Sequence, residues 1–208
     1  MPRHATRWAL ACCLIVSTAA RAGELSIDVR DLQGNALADA VVFAELTSGV
    51  PAPSAQPARA VIDQVDTQFV PRVSVMRAGT VVSFPNSDNI RHSVYSFSPA
   101  KVFTTRLYAG RQSEPIAFDK AGVIVLGCNI HDRMLAWAVV VDTPHFAKSG
   151  NDGAALLRDL PAGEYRLNTW YPGLAQPMVE TVTIAGSGIT QRQVRIDAAR
   201  SPLPGTQT

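Results

Sequence analysis

A chain of 208 residues, 47% hydrophobic and 17% charged with a formal charge of +2, has the composition of a folded globular protein of one or two domains. That excludes a disordered polymer and a bundle of membrane helices. If residues 1–22 are removed, Arg3, Arg7 and Arg21 leave with them and 16 basic residues face 17 acidic ones, a net −1 that provides no electrostatic footprint for nucleic acid.

Residues 1–22 read as an export signal and not as part of the fold. "MPRHATR" is a short basic region, "WALACCLIVSTAA" is an apolar stretch too short to span a bilayer, and Ala20-Arg21-Ala22 fits small-x-small cleavage near Ala22. The expectation is a periplasmic chain with no membrane span in its mature form. Cys12 and Cys13 leave with the signal, so the mature chain holds one cysteine, Cys128. Exported cysteines normally pair, so a lone one needs burial or a role.

The remainder reads as all-β. Leu25, Ile27 and Val29 alternate with polar neighbours, the period of a half-buried strand. After the turn "QGNA" comes the apolar run Ala40 to Leu46. The stretch "TSGVPAPSAQPAR" (47–59), rich in Pro, Ala and Ser, is expected to be a linker. The block 60–142 has its own strands: "TVVSF", "HSVYSFS", "GVIVLGC" and "MLAWAVVV". "NDGAALLRDL" is too short and too Gly-flanked for a helix. Residues 181–184 and 193–197 alternate again, and 199–208 should be a frayed tail.

Chemistry concentrates in "LGCNIHDRML", where Cys128, His131 and Met134 are each three residues apart. Period two puts Ile124, Leu126 and Cys128 on one face of a strand that looks apolar on both faces. Met134 would open the returning strand, with His131 on a loop spanning 129–133. His92, on a face shared with Val94 and Ser96, offers a second imidazole. Two imidazoles, a thiolate and a thioether match a type 1 copper centre: a His/Cys/His plane with a weak axial Met. Three other readings stand beside copper: a structural buried Cys, a zinc site short of its usual paired ligands, and a Cys–His nucleophile.

The pieces "FPNSD…HSV", "AGVIVLGC" and Cys-x-x-His-x-x-Met resemble the cupredoxin (blue copper) family, in particular exported proteins of the methylamine-utilisation type. The resemblance covers about residues 60–142. It implies one copper ion held by His92, Cys128 and His131 with Met134 axial, and single-electron transfer between redox protein partners without enzymatic activity. Two departures bear on the site. Ser93 follows the first ligand where an Asn often ties the two ligand loops together, which predicts a weaker or rearranged tie. Ile130 stands two residues after Cys128 where several short-loop members carry Pro; it keeps its N–H, which allows a second N–H···S bond to Cys128 and predicts a raised potential. Separately, Asp132 and Arg133 flank His131 where apolar residues are common.

The flanks, "ELSIDVRDLQGNALADAVVFAEL" and "DGAALLRDLPAGEYRLNTWYPGL", resemble the two halves of a carboxypeptidase-regulatory-like sandwich. The expected fold is therefore a Greek-key cupredoxin sandwich (60–142) combined with a second small β-sandwich split over 23–59 and 143–198. Two strands in 24–46 are too few to stand alone, and the alternative is that they edge the cupredoxin itself. Tyr165, Trp170 and Tyr171 read as core, with a docking surface as the other option. Against the electron carrier stand a copper-holding or copper-delivery protein, which would exchange its metal readily, and a binding module with a vestigial site.

Overall fold

The computed structural model describes residues 22–48, 58–110 and 114–198. The export signal up to Arg21, the tail 199–208 and most of the 47–59 connector lie outside the described residues. The chain opens with β1 (Ala22–Asp31) and β2 (Val41–Leu46). Ten strands follow: β3 (Arg59–Val61), β4 (Asp63–Val65), β5 (Gln68–Val70), β6 (Val73–Arg77), β7 (Thr80–Ser83), β8 (Tyr95–Ser98), β9 (Lys101–Thr104), β10 (Ile116–Phe118), β11 (Gly122–Cys128) and β12 (His131–Val141). The chain then returns through β13 (Phe146–Lys148), β14 (Ala154–Pro161), β15 (Gly163–Trp170), β16 (Met178–Ile184) and β17 (Ile189–Ile196). Among the described residues no helix is long and apolar enough to cross a membrane.

Strand pairing sorts these elements, apart from the two-stranded β4-β5 hairpin, into two sandwiches. One has sheets ordered β14-β1-β17 and β13-β2-β15-β16, and the other β10-β7-β3 and β6-β12-β11-β8-β9. β1 and β2 each lie between two partners in sheets built from the C-terminal strands, so they do not edge the middle block. Arg59, expected at the end of the connector, instead opens β3 and pairs with Val81.

The alternation of β1 carries into packing. Leu25, Ile27 and Val29 are fully buried and meet Val42, Ala44, Tyr165, Leu167, Val182 and Ile184 from the facing sheet. "AALLRDL" is strand β14, with Ala155, Leu157 and Leu160 buried. The three-residue step from 157 to 160 follows a register shift against β1 between Gly23 and Leu25. Tyr165, Trp170 and Tyr171 are all buried, which places them in cores and not on an open surface.

The middle block has its own core of Phe69, Met76, Val82, Phe84, Phe118, Ile124 and Leu126, and Cys128 and Met134 lie in the same cluster. The other face of β11 departs from the expectation of an apolar strand buried on both sides, because Val125 is 40% exposed. The second sandwich covers this face of the sheet over β12, at Trp137, Val139 and Val141, and the cover does not extend to Val125.

Candidate metal centre

β11 and β12 bring the loop residues together by a route the spacing does not suggest. The ladder from Gly122↔Val140 to Gly127↔Leu135 keeps one register, then jumps so that Cys128 pairs with His131. Asp132, Arg133 and Met134 are thereby bulged out of the ladder. The predicted loop 129–133 contracts to a turn at Asn129 and Ile130, and β12 starts at His131, not Met134. The bulge turns His131 back toward Cys128 at the cost of three unpaired ladder positions.

His92 arrives from a separate segment. It sits before β8, where its N–H donates to Tyr108 O at 3.0 Å and the Tyr108 N–H donates to its carbonyl at 2.9 Å. Its side chain is fully buried, and Val94 and Ser96 are buried on the same face. His92 Nδ1 is 3.1 Å from His131 Nδ1. Cys128 Sγ is 3.8 Å from the former and 3.7 Å from the latter. Cys128 is 4% exposed, and Met134 is buried in the same apolar cluster.

These separations can be tested against a single ion. Two donors on one metal can be no further apart than the sum of their bonds, roughly 4.0 Å for two imidazole nitrogens and roughly 4.3 Å for nitrogen and thiolate. All three distances fall inside that limit.

The chemistry of the donors agrees. His92 Nε2 lies 2.6 Å from Asp88 Oδ2. Burial opposes the charge on Asp88, but hydrogen bonds from the Thr67 N–H, from His92 and from the Asp66 N–H outweigh it and hold its carboxyl below the ordinary carboxylate range. A charged carboxylate can only accept from Nε2, and Nδ1 is the ring nitrogen that faces Cys128 and His131. A soft sulfur between two imidazoles suits copper in both of its oxidation states.

The tie between the ligand loops is present in altered form. The Ser93 hydroxyl donates to Asn129 Oδ1, and the Asn129 N–H reaches back to Ser93 Oγ at 3.5 Å. The long amide now comes from the cysteine loop and the short hydroxyl from the histidine segment, so the tie is rearranged. Asn129, Ile130, Asp132 and Arg133 are exposed around the half-buried His131. Beside them an open depression of about 470 Å³ is lined by Tyr95, Phe97, Thr104, Cys128, Asn129 and Asp132. Sequence reasoning missed Asp88 and Asn129; an acid four residues before a candidate ligand was the available signal for the first.

No protein-family model matches the chain, and no curated protein does. Among solved structures, 45% of the chain is similar to a copper-containing nitrite reductase from Thermus scotoductus SA-01, at 26% identity and a TM-score of 0.39, and the match spans only 25% of that chain. A purple cupredoxin from Nitrosopumilus maritimus matches 40% of the chain and 99% of its own length, at 20% identity and a TM-score of 0.35. The reduced Cu(I) form of an amicyanin mutant matches 48% and 99%, at 20% identity and a TM-score of 0.37. TM-scores this low add no weight to the site, whose character is internal to the chain. The middle block is thus an all-β unit of two β-sheets in which His92, Cys128 and His131 converge beside the core.

Proposed function

We propose that the protein is an exported, periplasmic type 1 copper protein that passes single electrons between redox protein partners and carries out no substrate chemistry of its own. One observation carries the proposal: the Nδ1 atoms of His92 and His131 and Sγ of Cys128 lie 3.1, 3.8 and 3.7 Å apart, within reach of one ion. Met134, buried in the same apolar cluster as Cys128, would add a thioether. Copper bound there would provide a one-electron couple at an accessible potential. The chain's part is to hold soft and borderline donors in one geometry, so that little moves when the charge changes. The surrounding core of Phe84, Ile124 and Leu126 leaves Cys128 only 4% exposed, and the half-buried edge of His131 is the side open to a partner.

The domain organisation belongs to the same proposal: a cupredoxin unit at 60–142 inserted between 23–59 and 143–198 of a second sandwich, after a signal cleaved near Ala22. The pairing of β1 and β2 with the C-terminal strands supports it. His145 stands apart in the second sandwich, its Nδ1 3.3 Å from Arg158 O and its ring against Tyr165, and this supports a single copper site without oxidase chemistry.

The test is the visible spectrum of the mature protein with Cu(II) beside Cys128→Ser. An intense thiolate-to-copper band, absent in the variant and bleached reversibly by reductant, is the expected result. A protein that takes up no copper, or shows the same spectrum with serine at position 128, rules the proposal out. Slow release of the metal to a chelator distinguishes an electron carrier from a copper-delivery protein.

A further inference from the structure

The far edge of His92 is held as closely as its metal-facing edge. Asp88 Oδ2 lies 2.6 Å from His92 Nε2 and accepts the Thr67 N–H at 2.9 Å, while Oδ1 accepts the Asp66 N–H at 2.6 Å. Asp66 and Thr67, the turn between β4 and β5, have φ of 50° and 56°. Two consecutive non-glycine residues in the left-handed region are unfavourable on their own, so contacts around the turn must hold it there. Its reward is geometric: both N–H groups point at one carboxylate, an anion-binding nest.

The rest of the loop is stitched in the same way. The Asp88 N–H donates to Asn86 Oδ1 at 3.0 Å, and Asn86 Nδ2 donates to the carbonyls of Ile90 and Tyr108 at 2.9 Å each. The Ser87 hydroxyl donates to Asp63 Oδ2 at 2.7 Å. The carboxylate is thus fixed by two backbone N–H groups, and its own backbone by Asn86, before it meets the imidazole.

We infer that Asp88, gripped by the Asp66–Thr67 turn, is a positioning residue for the metal centre: it takes the proton-bearing Nε2 edge of His92 and so keeps the Nδ1 lone pair aimed between Cys128 and His131. A neutral imidazole carries one N–H, and whichever nitrogen bears it cannot bind a metal. Without Asp88 both tautomers become available and the ring is free to turn. A carboxylate behind a ligating histidine also raises its basicity, and loss of such a partner typically weakens metal binding by about 10- to 100-fold. The inference rests on the copper-site reading above. It adds that the β4–β5 hairpin, which contributes no ligand, is part of the site's scaffold.

The experiment compares copper affinity, by competition with a chelator, in the mature wild type, Asp88→Ala and Asp88→Asn, with ¹⁵N NMR of His92 in the metal-free proteins. The expected result is Nε2-protonated His92 in the wild type, a mixture of tautomers in Asp88→Ala, and affinity about 10- to 100-fold lower in that variant. Asp88→Asn should fall between, because its amide oxygen can still accept from Nε2 but its NH₂ then faces the Asp66 N–H. In a His92→Ala background, Asp88→Ala should lower affinity no further. A folded Asp88→Ala that binds copper as tightly as wild type overturns the inference, as does an equal loss without His92, which would mean a purely structural role. If Asp88→Ala does not fold, an Nδ1-protonated His92 in the wild type is sufficient to overturn it. Failure of the wild type to bind copper sinks the copper site itself, whereas wild-type binding with an indifferent Asp88 sinks only this inference.

Discussion

At the scale of single residues, the closest packing next to the proposed ligands falls on a glycine. A Cβ built on Gly127 would lie 2.6 Å from the ring of Tyr95, which covers the backbone immediately before Cys128. Gly127 pairs directly with Tyr95 across the β11–β8 ladder, so the ring crosses the gap left by the missing side chain. Gly127→Ala should therefore cost about 1–3 kcal/mol, the usual range for overpacking, read as a lowered midpoint in denaturant. Adding Tyr95→Ala should recover most of that loss, and a double variant no better than the sum of the single ones would show that the clash lies elsewhere. Residue types at this scale were legible in the sequence: Cys128, His131, Met134 and His92 stand out by chemistry and spacing alone. Their supports were not. Asp88 and Asn129 look like ordinary loop residues until the fold sets one behind His92 and the other against Ser93: the first sits in a turn-forming stretch where a carboxylate is commonplace, and the second has its partner 36 residues away, which leaves no periodic trace.

At the scale of elements, period two predicted the longer strands and their buried faces, as Leu25, Ile27 and Val29 of β1 and Ile124, Leu126 and Cys128 of β11 show, but not the short strands β4, β5, β9, β10 and β13. The three-residue slip between β11 and β12 was not legible, because ladder register depends on pairing energies along both strands and not on the pattern of either one. Turns show the same limit. Gly153 adopts φ of +81°, and a Cβ there would meet Val29 O at 2.5 Å, a backbone atom that cannot swing aside. Gly153→Ala should cost more than Gly127→Ala, about 2 kcal/mol or above, since strain and clash combine; an equal or smaller loss in the same denaturant assay would contradict this. The β14–β15 corner is closed by Tyr165, whose hydroxyl donates to Pro161 O at 3.0 Å and whose pKa is pushed up by burial. Folding then favours the neutral phenol. Its contribution is intact below the ordinary tyrosine value of about 10 and is lost as pH rises through the higher folded value, because the native state keeps a proton the unfolded chain has released. Tyr165→Phe should lose roughly 1 kcal/mol at neutral pH and show a shallower alkaline decline in stability than wild type. An unchanged decline would assign the slope to other groups.

At the scale of the whole molecule, the sequence pointed to an inserted block only by strand counting, since 24–46 is too short to bury its own apolar faces. What joins the two sandwiches could not be read, because its residues are ordinary alternating apolars on strands whose inner faces already have a core. β12 shows the arrangement: Met134, Ala136, Ala138 and Val140 face the core beside the metal centre, while Trp137, Val139 and Val141 meet Val41 and Trp170 of the other sandwich. The two indole systems lie 6.5 Å apart, Arg72 stacks 5.5 Å over Trp137, and Trp170 Nε1 donates to Leu174 O at 3.0 Å. Lys148 spans the joint as well, donating to Val73 O at 3.1 Å while pairing with Asp39 at 2.6 Å. Trp137→Ala empties this joint and should cost about 3–5 kcal/mol, the range for a large aromatic removed from a core. Because the loss falls on the contact between two separately cored sandwiches, calorimetry should give one transition for the wild type and two for the variant, with the copper band surviving the first when the second sandwich melts first. A single transition, merely lowered, would mean that the sandwiches fold as one cooperative unit and that β12 transmits the loss along its length to His131 and Met134.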